Sequence, residues 1–182
     1  MKKIILQACF LLLTTSAIAQ KTFTLASSNL EGQATLNEEF NGNGYNGKNR
    51  SPHLSWTNAP QGTKSFAITM YDPDAPTGSG WWHWIIFDVP ADVHELADNA
   101  GSVAAHLAPK MAIQSLTDFG LRGYGGPCPP AGTGIHQYII TIYALKTAKL
   151  GLDESVLPPN VGFTLKQNML AKASLIFYDQ HP

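Results

Sequence analysis

Three short segments of this 182-residue chain place acids and histidines at the ends of apolar runs. They are Tyr71-Asp72-Pro73-Asp74-Ala75-Pro76, Trp81-Trp82-His83-Trp84, and the glycine–proline stretch from Gly123 that ends in His136-Gln137-Tyr138. Carboxylates and imidazoles are costly to bury without partners, so their repeated placement beside core-forming sequence points to a polar pocket. The residue types say which chemistry is in reach. A protonated imidazole donates to an oxyanion, a carboxylate holds the ring in orientation, and a tyrosine hydroxyl adds a further donor. Gly123, Gly125, Gly126, Gly132 and Gly134 lie in the loop leading to His136, while Pro127, Pro129 and Pro130 stiffen its path. Such loops present backbone N–H groups as an anion nest. Together these groups suit a phosphate monoester or a small carboxylate.

Other chemistries have weaker support. No Gly-x-x-x-x-Gly-Lys-Ser/Thr pattern is present and no helix follows the glycines, which excludes a P-loop and a dinucleotide fingerprint. Asp72, His83 and His136 have the composition of a two-His-one-carboxylate metal set, but neither His-x-x-x-His nor Cys-x-x-Cys spacing occurs. There is no Gly-x-Ser-x-Gly elbow, and Cys128 lies eight positions before His136 on a stiff loop, which neither supports nor excludes a dyad. Each residue also has a plain structural reading: Asp72 before Pro73 as a turn former, His83 among tryptophans as a satisfied core histidine, Tyr138 as core, and Cys128 as a small residue in a tight loop. Their convergence favours a binding site with no catalytic residue, no metal and no cofactor.

The elements that must position these groups are mostly strands. Phe23 to Leu25, Ser65 to Tyr71, Trp84 to Val89, Gln137 to Leu145 and Leu170 to Tyr178 have strand length and composition. Alternation puts Phe66, Ile68, Met70 and Asp72 on one face, and His136, Tyr138, Ile140 and Ile142 on one face of a later strand. Ala171, Ala173, Leu175 and Phe177 share a face of the last. A short helix is predicted from Asn160, as N-cap, to Asn168. Glu39 to Pro52 reads as loop, and Asp98 to Ala131 as a long stretch of weak periodicity. Scarce helices favour a mainly β fold of two packed antiparallel sheets with a few short peripheral helices over βαβ units.

Residues 1–19 read as a secretory signal peptide: Met1-Lys2-Lys3, an apolar run from Ile4 to Leu13, and Ala17-Ile18-Ala19 before Gln20. Residues 20–182 then form one domain, exported to the periplasm or secreted, with no transmembrane segment. Losing Lys2 and Lys3 takes the net charge from −1 to −3, and no basic stripe exists to bind nucleic acid. Cys128 is then the single cysteine, so no internal disulfide can form.

These motifs resemble the phosphatidylethanolamine-binding protein (PEBP) family in its bacterial Raf-kinase-inhibitor-like branch. The matching segments are Ser51-Pro52-His53-Leu54-Ser55-Trp56, Asp72 to Pro76, His83-Trp84, Gly123 to Pro130 with His136 and Tyr138, and Leu170-Ala171-Lys172-Ala173. The resemblance implies a two-sheet antiparallel fold and a pocket for phosphate-like anions, phospholipid headgroups included. It implies that Asp72, His83, His136 and Tyr138 line the pocket, that Asp74 stands behind it, and that Cys128 and Pro129 form its rim. Gln137 replaces the usual arginine, which removes a positive charge near the rim, and Asn168 stands where many bacterial relatives have histidine. The expected function is non-enzymatic binding of phosphate, phosphoethanolamine or a carboxylate. The alternative is regulation of a protein partner, as a protease inhibitor or in kinase signalling, with a hydrolase ranking last. Bacterial members of the branch leave room for a homodimer. Inhibition of cytosolic kinases does not transfer to an exported chain.

Overall fold

The computed structural model describes residues 21–181. Its central element is β3 (Ser65–Asp72), hydrogen-bonded between β4 (Trp81–Pro90) and β7 (Ile135–Leu145). A strand paired on both sides and covered on both faces needs apolar residues at every position, and Phe66 through Met70 are all buried, with Thr69 the one polar member. With β6 (Ile113–Gln114) and β8 (Met169–Gln180) they form a five-stranded antiparallel sheet of order β6-β4-β3-β7-β8. A second antiparallel sheet, order β1-β2-β5, comprises Thr24–Ala26, Leu54–Thr57 and Glu95–Leu96.

The two sheets pack through Phe66, Ile68 and Met70 of β3 against Leu54 and Trp56 of β2, with Ile140 and Ile142 of β7 alongside. Phe66 stands at the centre of an aromatic group, stacked on Phe23 at 6.3 Å and edge-on to Trp56 at 5.3 Å. The opposite face of the large sheet is covered by α1 (Pro158–Asn168), whose Val161 and Leu165 meet Ala67, Ile85, Phe87 and Leu145. The mainly β, two-sheet reading holds. Among the described residues α1 is the single α-helix, joined by one 3-10 turn at Val103–Ala105, where a few short helices are expected.

The helix is capped three residues earlier than predicted. Leu157, not Asn160, occupies the cap position, in extended conformation and without a side-chain cap. Pro158 and Pro159 explain this: their fixed φ suits a first helical turn, where an N–H would have no partner. The long segment from Asp98 hides β6 and the 3-10 turn, both too short to show a period. The predicted leader at 1–19 lies outside the described residues.

One irregularity matters for the site. Along β3 and β4, Met70 pairs with Trp84 and Tyr71 with Trp82, so His83 has no partner and is the extra residue of a β-bulge. A bulge turns the side chain at the extra position away from strict alternation. Trp82 packs on Tyr71 toward the helix side, whereas His83 reaches Tyr138 on the Asp72 side.

Candidate functional site

Asp72 ends β3 pointing into the core, and its two oxygens are used differently. Oδ1 accepts the N–H groups of Asp74 (2.8 Å) and Ala75 (3.1 Å), which closes the turn that Pro73 forces. Oδ2 lies 2.8 Å from Nδ1 of His136 at the start of β7. Both side chains are nearly inaccessible, at 2 % and 1 % exposure. A carboxylate so buried is tolerable because every lone pair it uses meets a donor. Asp74 is exposed and acts from behind: its Oδ2 accepts the Gln137 N–H at 2.8 Å and clamps the start of β7.

The second nitrogen of His136 is engaged too. Nε2 lies 2.9 Å from Thr133 Oγ1, and the same hydroxyl donates to the Pro130 carbonyl at 2.7 Å. With its proton directed at Pro130, Thr133 presents a lone pair, so His136 donates from Nε2. A ligand oxygen taking the place of Thr133 Oγ1 would receive that same donor.

His83 differs from the donor role anticipated for it. Its Nδ1 faces the carbonyls of Gly125 (2.8 Å) and Gly126 (3.1 Å), which require the proton on that nitrogen. Burial lowers its pKa to about 4, against the opposing pull of those carbonyls and of Asp72. At neutral pH the ring is neutral, and Nε2 is an acceptor. Phe119 and Tyr138 hold the ring edge-on from two sides, at 5.3 and 5.1 Å.

Tyr138 is fully buried and stacked on Phe177 at 5.3 Å. Burial first, then the Asp72 charge, pushes its hydroxyl well above the phenolic range, so it stays protonated. The Cys128 N–H lies beside that hydroxyl, yet no well-formed hydrogen bond satisfies it. The Cys128 thiol is pushed up to about 11, chiefly by burial, with Asp72 and Asp179 adding to it and an Asn43 hydrogen bond opposing. A thiol at that value is a poor nucleophile. The Pro129 carbonyl accepts from Tyr45 at 2.8 Å.

The glycine loop is less open than a nest requires. The Gly125 N–H donates to the His83 carbonyl (2.8 Å) and the Gly126 N–H to Asn49 Oδ1 (2.7 Å). These glycines serve close packing: a Cβ on Gly126 would lie 2.0 Å from the Glu38 carbonyl oxygen. Behind Phe119 and Gly125 opens a separate cleft of about 550 Å³ whose arginines are paired, Arg50 with Asp98 and Arg122 with Glu154. Among the described residues no group of three His, Cys, Asp or Glu is arranged to hold a metal ion.

Asp72, His83, His136, Tyr138 and Cys128 therefore meet in one place, with Pro129 beside them and Asp74 behind. Residues not anticipated are Thr133, Phe119, Tyr45 and Asp179. Asp179 pairs directly with His136 across β7 and β8 and continues the Ala171–Phe177 alternation by one more step, so the signal for it was present.

The model of the phosphatidylethanolamine-binding protein family matches residues 26–179. The chain belongs to that family. Among its PEBP-family relatives, YbcL of Escherichia coli is 42 % identical over 177 residues, covering 96 % of both chains. The crystal structure of E. coli YbcL, described as a member of the mammalian PEBP family, superposes with a TM-score of 0.85 over 88 % of this chain and 99 % of that one. LppC of Mycobacterium tuberculosis, assigned as a lipoprotein, is 35 % identical over 135 residues, 74 % of this chain and 61 % of that protein.

Proposed function

We propose that this PEBP-family chain is an exported, non-enzymatic binding protein that holds a small oxyanion of the phosphate or phospholipid-headgroup type. The observation that carries the reading is the buried Asp72–His136 pair beside the unsatisfied Tyr138 hydroxyl. His136 Nε2 and Tyr138 Oη supply donors, and Asp72 fixes the imidazole so that Nε2 points outward. Burial of the pair gives these donors more electrostatic weight than they would have in water. The absence of an activated nucleophile at Cys128 argues for binding over turnover. Export is supported by the leader-like N-terminus and by the likeness to LppC.

A ligand that binds only the folded state raises the melting temperature in proportion to the logarithm of its concentration over Kd. Millimolar phosphate or phosphoethanolamine is expected to raise it, and His136→Ala to abolish the rise. An unchanged melting temperature in the wild type under both ligands would sink the reading.

A further inference from the structure

Asp179 is the residue of this site without an assigned purpose. It sits near the end of β8, opposite His136, and paired residues of antiparallel strands present their side chains on the same face. It is 8 % exposed. The Gln180 N–H reaches its carboxyl, but Oδ2 has no hydrogen-bond partner. The Tyr138 hydroxyl, two residues along the partner strand, is the other unsatisfied polar atom of this face. Buried polar atoms are almost always paired, so two orphans on one face, close enough for Asp179 to act on the Tyr138 hydroxyl, mark a place where an atom from outside the chain belongs.

The surroundings restrict what that atom is. The charges acting on Asp179 are Glu39, which repels it, and His181 and His136, which attract it; no lysine or arginine is among them. Tyr45, Tyr138 and Cys128 stay neutral because burial pushes each of them up. Asp72 is committed to His136. An anion approaching Oδ2 therefore meets a carboxylate with no lysine or arginine beside it, and the direct oxygen–oxygen contact is repulsive unless one proton lies between the two. His83 Nε2 makes the same demand, being an acceptor.

Taking the pocket as an oxyanion site, we propose that Asp179 is a specificity-determining residue that shares one proton with a ligand oxygen and so selects oxyanions bearing a proton of their own, such as hydrogenphosphate, over fully ionised ones such as sulfate. Hydrogenphosphate donates its P–OH to the Asp179 carboxylate. Sulfate has no proton to give, so it is accepted only after Asp179 takes one from solvent. Burial, and then Glu39, raise the Asp179 pKa to about 6, which puts that uptake within reach of mild acid.

The test is calorimetric titration of the full chain with inorganic phosphate and with inorganic sulfate, at pH 7.5 and 5.5. Phosphate is expected to bind at pH 7.5 at least about tenfold more tightly than sulfate. Sulfate should gain about 25-fold on going to pH 5.5, following the protonated fraction of a carboxyl titrating near 6. In Asp179→Asn the amide supplies a permanent donor, so the sulfate gain should shrink below about twofold and the preference for phosphate collapse. Without any variant, titrations at pH 7.5 in two buffers of different ionisation enthalpy should show about one proton taken up per sulfate and a smaller uptake per phosphate. Equal affinity for both anions in the wild type, or unchanged discrimination in Asp179→Asn, overturns the role of Asp179 while leaving the pocket intact. Binding of neither anion by the wild type overturns the pocket and this inference together.

Discussion

His83 makes folding stability depend on acid in a way that isolates the site from the rest of the molecule. In the unfolded chain an imidazole titrates near 6.5; in the fold, burial holds it to about 4. Between those values the unfolded chain binds the extra proton, so stability is intact above 6.5 and is lost as pH falls. At 1.36 kcal/mol per unit the full span is roughly 3 kcal/mol, and about 2 kcal/mol of it is gone by pH 5. Asp179 acts in the opposite sense. Its pKa is raised from 3.8 to about 6, so ionisation destabilises the fold above that range and acid relieves it. That relief amounts to about 1 kcal/mol once solvent screening is allowed for, enough to mask half the His83 effect. The measurement therefore belongs in an Asp179→Asn background, by urea denaturation at pH 7.5 and 5.0. With His83 present the loss on acidification should be about 2 kcal/mol larger than with His83→Asn, whose amide can still donate to the Gly125 carbonyl without titrating. Equal acid sensitivity in the two proteins would refute the neutral, Nδ1-protonated assignment and with it the acceptor role of Nε2.

Two further outcomes follow from the same geometry. Asp72→Asn removes the buried charge that His136 faces and should lower stability by about 3 kcal/mol by urea denaturation, because it leaves one partner of a buried pair uncompensated; it should also remove the phosphate-induced thermal shift. Cys128, raised from 9.0 to about 11 by burial, should react with iodoacetamide at pH 7.5 roughly 100-fold more slowly than an unperturbed thiol, and a rate equal to that of free cysteine would overturn the assignment.

Much of the site was legible because strand alternation is a strict rule. Phe66, Ile68 and Met70 declare which face is buried, and Asp72 follows two residues later on that face. Tyr138, Ile140 and Ile142 do the same for His136. Asp179 obeyed the same rule, but an acid at the end of a strand reads most simply as a solvated terminus, and only its pairing with His136 shows otherwise. The role of His83 depended on which atoms face its two nitrogens, and those carbonyls come from residues 42 and 43 positions away. The glycine loop suggested free amides for an anion, whereas Gly125 and Gly126 turn out to be sites of close backbone approach, a distinction that composition does not encode. The second sheet was hardest to foresee. Its strands hold three, four and two residues, too few to establish a period.

The bulge at His83 has a consequence for how this protein can change. Strand β4 changes phase at His83, and shifts register against β3 once more between Ile86 and Val89. Trp84 to Val89 answers to the packed interior, while Trp81 and Trp82 are phased independently of it. Removal of one residue at His83 would bring that end of β4 into step with Tyr71 and turn the histidine toward the helix side, taking one acceptor from the pocket while Asp72, His136 and Tyr138 stay in place. The fold thus hangs one wall of the pocket on a one-residue phase defect, so that wall can be retuned without renegotiating the core.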